Sequence, residues 1–279
     1  MARVVVVTDS TADMGDGDME RLKISMVPLN VLWNGETFRD KVDMSLEEFY
    51  RKLRTDNGSP RTSQPSAGQF VEVYQRLLQE ADAIVSIHIS GAISGTINAA
   101  QAAAQQVAPE KITVVDSRNL AWPEGALVTK TAEAAQSGAS LRECVEFAEA
   151  LVPRLRLYCA ADTLEYLMRG GRVTRLQAFA GTLLAIKPML HVVDGKLVPA
   201  ERVRTRAAAV KKMAELMLAE GPLEEAAVLY ADVREPAEEL YRIIHEARPE
   251  LPIKWGRTGA VIGAHNGPGL YGVYGLAAE

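Results

Sequence analysis

Cysteine is scarce in this chain of 279 residues, which has only Cys144 and Cys159, both in apolar surroundings. Two such thiols make no disulfide framework, and no Cys-x-x-Cys or Cys/His spacing predicts a metal site. Long apolar runs are also missing, since no stretch approaches the ~18 residues that a membrane-spanning helix needs. The first residues form a predicted strand, Arg3–Val7, rather than a signal peptide. We therefore expect a cytoplasmic protein that binds no metal.

A surplus of basic residues is absent as well. The net charge is −5 at pH 7, which argues against general nucleic-acid binding, because that function needs a basic surface. Hydrophobic residues make up 48% of the chain and charged residues 24%, a composition that can bury a sizeable core. At ~150 residues per domain the length favours two domains, which we place at residues 1–156 and 157–279.

The first domain is predicted to be an α/β domain whose mainly parallel sheet has helices on both faces. Apolar β-branched runs, such as Arg3–Val7 and Lys111–Val115, alternate with helical segments, as in sheets of that kind. We also predict an extended segment over Ile24–Trp33 and a loop over Thr55–Pro65.

Three of these strands end in short polar turns, at Asp9-Ser10, Ser90–Thr96 and Asp116-Ser117. Ligands of open α/β sheets bind beyond the carboxyl ends of the strands. The three turns are therefore predicted to line one crevice. Asp9 and Asp116 are interpreted mainly as turn-capping residues.

The segment Ile84–Ala100 combines a buried strand, a polar turn and the start of an Ala-rich helix. Its turn holds the hydroxyls of Ser90, Ser94 and Thr96 close to the positive end of the helix dipole, which suits a small anion such as a carboxylate or phosphate. The alternative is an ordinary helix cap, in which Ser94 caps the helix and nothing is bound.

The second domain is also predicted to be α/β. Asp194-Gly195 is a strong hairpin signal, and helices are predicted over Leu176–Ile186 and Thr205–Glu220. A final strand is predicted over Ala260–Gly263.

The sequence contains neither a P-loop nor a Gly-x-Gly-x-x-Gly motif after the first strand, so no motif supports a nucleotide site. The Gly91–Gly95 spacing also differs from the Gly-x-Ser-x-Gly of a nucleophile elbow. A hydrolase with a Ser94, His265 and Asp9 triad stays open as an alternative, because triad members need not be close in sequence. His88 lies in an apolar strand and is interpreted as a core histidine.

Arginine is concentrated in two places. Arg169, Arg172 and Arg175 surround a glycine pair, and Arg202, Arg204 and Arg206 alternate on a segment predicted to be extended, so that they share one face. Such a patch is either a solvated surface or a site that recognises a phosphate or an acidic partner.

Seven short motifs occur together in an order that resembles the DegV family, the fatty-acid-binding proteins of the bacterial fatty acid kinase system. The resemblance runs from residue 4 to about residue 275. Its motifs are Thr8–Ala12, Val27–Leu29, Arg61–Pro65, Ile89–Thr96, Leu164–Leu167 with Gly170–Arg172, Ile186–Pro188 and Gly263–Gly269.

The resemblance implies a non-enzymatic carrier without a cofactor, which holds one long-chain fatty acid of the palmitate, stearate or oleate class in an internal tunnel. It places the head group near the domain junction. The residues that match the family's carboxylate site are Thr62, Ser94 with Gly95, and His265. At Ala92 and Ile93 this chain departs from the usual family pattern, which leaves acyl-chain preference open.

The resemblance also implies a partner, a separate kinase subunit that phosphorylates the bound acid to an acyl phosphate for phospholipid synthesis. Arg204 matches the family's kinase-facing arginine, with Arg202 and Arg206 as helpers. Nucleic acid is not expected as a partner, and lipid exchange would allow transient membrane contact. Burial of about fourteen methylenes at ~0.8 kcal/mol each would supply on the order of 11 kcal/mol before ordering costs. Phe179, Leu183, Leu184 and Ile186 are predicted to line the tunnel.

Overall fold

A computed structural model describes residues 3–56, 58–163, 165–172 and 187–279. The predicted helix Leu176–Ile186, the proposed tunnel residues within it and Arg175 lie outside these residues. Within the described ranges the helices are α1 (Asp18–Leu22), α2 (Leu46–Thr55), α3 (Ala67–Leu77), α4 (Thr96–Val107), α5 (Ala121–Gln136), α6 (Leu141–Leu151), α7 (Glu165–Gly170), α8 (Arg206–Ala219), α9 (Glu235–Ala247) and α10 (Ala260–Asn266).

A four-stranded sheet forms the first half of the chain. Its strands are β1 (Val4–Asp9), β2 (Ser25–Val27), β6 (Ala83–His88) and β7 (Ile112–Asp116), in the order β2-β1-β6-β7 and all parallel. Every residue of β6 is buried, because helices cover both faces of the sheet. Helices α3 and α4 pack on one face and α5 and α6 on the other, which confirms the predicted α/β layers.

A small antiparallel sheet stands beside the first. It contains β3 (Asn30–Trp33), β4 (Glu36–Arg39) and β5 (Arg61–Ser63), in the order β4-β3-β5. Most of the segment predicted to be extended over Ile24–Trp33 is strand, but it is divided at Pro28 into β2 and β3, which belong to different sheets. The prediction of an uninterrupted loop over Thr55–Pro65 was wrong. Strand β5 has three polar residues, which carry no apolar alternation to reveal it.

The second half forms a six-stranded mixed sheet. Its strands are β8 (Leu155–Ala160), β9 (Lys187–Val193), β10 (Lys196–Val203), β11 (Leu223–Tyr230), β12 (Ile253–Arg257) and β13 (Tyr271–Ala277). Their order is β10-β9-β8-β13-β11-β12, and neighbouring strands are antiparallel except for the parallel pair β11 and β12. Helices α8 and α9 pack on one face of this sheet.

The hairpin predicted at Asp194-Gly195 is confirmed between β9 and β10. Both turn residues have positive φ, 49° and 75°, as a type I′ turn requires. The final strand predicted over Ala260–Gly263 was wrong, because these residues begin α10. Helix α10 is buried on nearly all sides, so its sequence has no amphipathic period by which a helix could be recognised.

One apolar cluster continues from the first half of the chain into the second. Val6 and Leu29 belong to it together with Leu197 and Val261. The division at residues 156 and 157 stays a prediction, although β8 begins the second sheet at Leu155. No helix within the described ranges is long and apolar enough to span a membrane.

Candidate functional site

A cavity of about 100 Å³ is lined by residues from both halves of the chain. Thr62, Ser94 and His265 supply hydroxyl and imidazole groups to its wall. Most of the remaining wall is aliphatic, formed by Leu29, Ile89, Ile93, Leu120, Leu197, Val261 and Ile262. The cavity therefore combines a few hydrogen-bonding groups with an apolar surface.

Thr62 and His265 are 203 residues apart in the chain, yet Thr62 Oγ1 lies 2.7 Å from His265 Nε2. Thr62 is held in β5, where it pairs with Val31 of β3. His265 belongs to the last turn of α10, which packs against α2, β3 and β5. The small antiparallel sheet thus places Thr62 next to His265.

The N-terminal end of α10 is tied to the first half of the chain by two hydrogen bonds. The Asp13 carboxylate accepts one from the Gly259 N–H at 3.1 Å. The Tyr50 hydroxyl donates the other to the Thr258 carbonyl at 2.8 Å. These contacts fix the helix that carries His265.

Ser94 lies in the turn between β6 and α4 and is half-buried. Its Oγ is 2.8 Å from Thr96 Oγ1 and accepts a hydrogen bond from the Thr96 N–H at 3.3 Å. Gly95, not Ser94, is the N-cap residue of α4. The N-cap predicted at Ser94 was therefore wrong by one residue, although the Ser94 hydroxyl does accept from the Thr96 N–H at the start of the helix.

Gly95 has the side chain of Gln64 directly against it, so that a Cβ at this position would overlap the Gln64 amide. Gln64 lines the same cavity. The absence of a side chain at Gly95 therefore lets the β5 segment approach the start of α4. The Gly95 N–H has no acceptor among the described residues.

Hydrogen bonds from three neighbouring segments hold the Ser90–Thr96 turn in place. Asp9 accepts from the Ile89 N–H at 3.0 Å, and Asp116 accepts from the Gly91 N–H at 3.2 Å. The Ser90 hydroxyl donates to the Gly195 carbonyl in the β9–β10 hairpin at 2.8 Å. The prediction that all three polar turns line one crevice was wrong. Only the Ser90–Thr96 turn lines the cavity, and Asp9 and Asp116 support that turn by their hydrogen bonds.

His265 is neutral at physiological pH. Burial, together with the positive charge of Arg172, lowers its pKa from 6.5 to about 4. Its Nδ1 has no hydrogen-bond partner among the described residues. Arg172 lines the cavity, and its guanidinium donates to the Gly170 carbonyl at 2.7 Å. Within the described part of the chain, no group of His, Cys, Asp and Glu side chains is arranged to hold a metal ion.

The contacts of Ser94 and His265 differ from those of the proposed hydrolase triad. Ser94 Oγ is hydrogen-bonded to Thr96, whereas Nε2 of His265 is paired with Thr62. Asp9 is paired with His88 instead. The structure therefore does not form the Ser94, His265 and Asp9 relay on which the hydrolase alternative depends.

The second arginine group does not form one extended row. Arg202 lies in β10 and is exposed, and Arg204 follows the strand and is also exposed. Arg206 is the first residue of α8 and pairs with Asp162 at 2.6 Å. The expectation that all three alternate on a single extended segment was wrong, because the capping hydroxyl of Thr205 starts a helix there.

Sequence reasoning assigned no role to Gln64 or Asn266 and considered Arg172 only as part of an arginine patch, although all three line the cavity. Gln64 and Arg172 belong to the Arg61–Pro65 and Gly170–Arg172 motifs, so their sequence neighbourhood was the available signal. Asn266 follows His265 directly. Its backbone position at the end of the buried helix α10 became evident only in the fold.

By fold and site, this is a three-sheet α/β protein with a small cavity shared by its two halves. The model of the family described as "Uncharacterised protein, DegV family" matches residues 3–277. The chain therefore belongs to the DegV family. Protein DegV of Bacillus subtilis is 36% identical over 274 residues, which cover 97% of this chain and 98% of that protein.

Solved structures agree with this assignment. A fatty-acid-binding DegV family protein from Thermus thermophilus superposes with a TM-score of 0.91 at 35% identity, over 99% of this chain and 100% of that one. DegV of Bacillus subtilis, described as a fatty acid binding protein, gives a TM-score of 0.89 at 34% identity, again over 99% and 100%. The fold shared with these relatives includes both halves of the chain.

Proposed function

We propose that this protein binds a long-chain fatty acid, with the carboxylate at Thr62, Ser94 and Gly95 and the tail in a tunnel that continues from the cavity. The observation that carries the proposal is the pairing of Thr62 with His265 beside Ser94, in a cavity whose other walls are largely aliphatic. Relatives at 34% and 35% identity described as fatty-acid-binding proteins support it.

A carboxylate accepts hydrogen bonds and donates none, so the site has to supply donors. A neutral His265 that carries its proton on Nε2 donates to Thr62 Oγ1 and leaves the Thr62 proton free for the ligand. This tautomer is favoured because Nδ1 has no hydrogen-bond partner among the described residues, so that a proton on Nδ1 would be buried without an acceptor. Ser94 and the Gly95 N–H supply the further donors.

Hydrogen bonds from neutral hydroxyls orient the head group, while the buried tail supplies most of the affinity at ~0.8 kcal/mol per methylene. A head group that is held in this way stays available to a second protein. We propose that a separate fatty acid kinase then transfers phosphate to it. A carboxylate oxygen bonds to the γ-phosphorus of ATP, the bond to the β-phosphate oxygen breaks, and ADP leaves as the acyl phosphate forms.

In this proposal the chain is a cytoplasmic carrier and not itself an enzyme, and its product feeds phospholipid synthesis. Palmitate, stearate and oleate are the proposed ligands, and transient membrane contact would accompany their exchange. Arg204 is the proposed kinase contact because it is exposed and has no hydrogen bond or ion pair among the described residues. Arg202 and Arg206 would assist it, the latter while paired with Asp162.

Lipid extraction and mass spectrometry of the purified full chain test the binding proposal. We expect a co-purified long-chain acid, or saturable binding of added palmitate after delipidation. A protein that neither carries an acid nor binds palmitate, stearate or oleate would refute the proposal.

The kinase step is tested with Arg204→Ala, in an assay of acyl phosphate formation with a fatty acid kinase and ATP. We expect the variant to hold as much lipid as the unmodified chain but to be turned over roughly tenfold more slowly, as for a lost interface arginine worth ~1.4 kcal/mol. Arg242→Ala is the matched control, since Arg242 lies on α9 and pairs there with Glu239 and Glu246. Loss of bound lipid in Arg204→Ala would contradict this division of roles.

A further inference from the structure

Thr96, the first residue of α4, is fully buried, and its hydroxyl has one hydrogen-bond partner among the described residues, the Ser94 hydroxyl 2.8 Å away. Ser94 differs in that it is half-buried and lines the cavity. The two hydroxyls therefore have unequal access to other partners.

That inequality decides which hydroxyl donates. A buried hydroxyl proton that lacks an acceptor costs ~1–3 kcal/mol. If Ser94 donated to Thr96, the Thr96 proton would have no acceptor among the described residues. If Thr96 donates to Ser94, the Ser94 proton can turn into the cavity and meet a ligand.

The backbone reinforces this arrangement, since the Thr96 N–H also donates to Ser94 Oγ at 3.3 Å. A hydroxyl oxygen accepts two hydrogen bonds. With the Thr96 hydroxyl and N–H both pointing at it, Ser94 Oγ has no acceptor capacity left. It can only donate.

We infer that Thr96 is a positioning residue that makes Ser94 a donor-only group and thereby favours a carboxylate over a head group that carries N–H donors. The inference rests on the proposed function and adds a basis for head-group selectivity. A carboxylate accepts from both Ser94 and Thr62. A primary amide of the same chain length offers only one acceptor oxygen, and its NH₂ group gains nothing from Ser94.

A competition experiment tests this inference. Delipidated full chain is incubated with equimolar palmitate and palmitamide, and the ratio of the two retained lipids is measured by mass spectrometry. Thr96→Val replaces the hydroxyl with a methyl group of similar size. It frees Ser94 to accept, so we expect the acid-to-amide ratio to fall three- to tenfold, the equivalent of one ordinary hydrogen bond. Thr96→Ser should keep the ratio within about twofold of the unmodified chain, because it retains the hydroxyl.

Thr131→Val is the matched control. Thr131 is also fully buried, and its hydroxyl donates to the Leu127 carbonyl within α5 at 2.8 Å. The variant should lose stability without any change in the ratio. If Thr96→Val does not fold, Thr96→Ala removes the same hydroxyl without adding a methyl group in its place.

A double-mutant cycle supplies a readout that a purely structural role would not move. Ser94→Ala should lower the ratio by itself, and Ser94→Ala combined with Thr96→Val should lower it no further, because Thr96 acts through Ser94. An unchanged ratio in Thr96→Val, or additive effects in the double variant, would overturn the inference alone. An unmodified chain that retains neither lipid would overturn the proposed function as well.

Discussion

Two hydrogen-bonded groups in this protein use similar residues in different surroundings. In the core, Ser86 Oγ lies 2.7 Å from His88 Nε2, and His88 Nδ1 lies 3.1 Å from Asp9 Oδ2. At the cavity, a hydroxyl and a histidine are again paired, as Thr62 and His265. The core group is hydrogen-bonded in the order Ser–His–Asp, as in a hydrolase triad, but all three side chains are fully buried and closed to substrate. A hydrogen-bonded Ser–His–Asp series therefore does not by itself identify a reactive site.

The charges of the two groups also differ. Burial raises the pKa of Asp9, but hydrogen bonding and charge interaction with His88, together with donors at Thr11 and Ile89, outweigh it and hold that pKa below 3.8. His265 faces Arg172 instead of a carboxylate, and its pKa is lowered. The core group is built around an anion, whereas the cavity pair is neutral and leaves donor capacity for one.

The largest expected effect comes from removing the core anion. Asp9→Ala leaves His88, Ile89 and Thr11 without their acceptor, and we expect a loss of about 3–5 kcal/mol in the free energy of unfolding. Urea denaturation followed by circular dichroism measures it. Asp116→Ala is the control, since Asp116 is only partly buried and accepts from two backbone N–H groups. Its expected cost is roughly 1 kcal/mol, and an equal cost for both variants would show that Asp9 is not the anion around which the core group is built.

A smaller effect, on binding rather than folding, is expected at the cavity. In the proposed head-group site, Thr62→Val removes a donor to the carboxylate, which is worth about 1.5–3 kcal/mol, or roughly ten- to hundredfold in the palmitate dissociation constant. Calorimetric titration of delipidated protein measures it. Thr62→Ser keeps the hydroxyl and should bind within about threefold of the unmodified chain. Unweakened palmitate binding by Thr62→Val would place the head group elsewhere.

A third effect is expected in the pH dependence of stability. His265 takes up its proton near pH 4 in the folded protein and near pH 6.5 in the unfolded chain. As the pH falls through this window the unfolded chain is protonated first, so the free energy of unfolding decreases.

His265→Gln lacks this group, and its stability should therefore fall less between pH 6.5 and pH 4. Asp40, whose pKa burial raises to about 6, acts with the opposite sign in both proteins. The difference between the two urea-denaturation series isolates His265. Identical slopes for the two proteins would show that His265 is not held neutral by its surroundings.

Local sequence patterns predicted the parallel sheet more reliably than some of the elements outside it. Both faces of that sheet are covered, so its strands are apolar almost throughout. The runs at Val4–Val7 and Ile84–Ile87 can therefore be recognised as buried strands from their composition. Helix α10 and strand β5 carry no comparable pattern. One is buried on nearly all sides and the other is short and polar, so neither has a readable period.

The candidate site was only partly predictable in the same way. The hydroxyl-rich turn at Ser90–Thr96 pointed to an anion site from its own residues. Thr62 was selected only through the resemblance to the DegV family, and His265 was otherwise considered only as a member of the alternative triad. Their pairing was not predicted locally, because residues 203 positions apart share no local signal. Whether the Ser94 hydroxyl donates or accepts could not be predicted from the sequence, since the inferred donor role depends on the burial of Thr96.

The sequence by itself determined the α/β layers of the first half, the type I′ hairpin at Asp194-Gly195 and the presence of an anion-suited turn. These features follow from local propensity and periodicity. Only the tertiary structure decided that Thr62 meets His265, that Arg206 pairs with Asp162, and that the hydrogen-bonded group of Ser86, His88 and Asp9 is fully buried. Each of these depends on which distant segments exclude water around a side chain, and burial of that kind is a property of the packed molecule rather than of any short stretch of it.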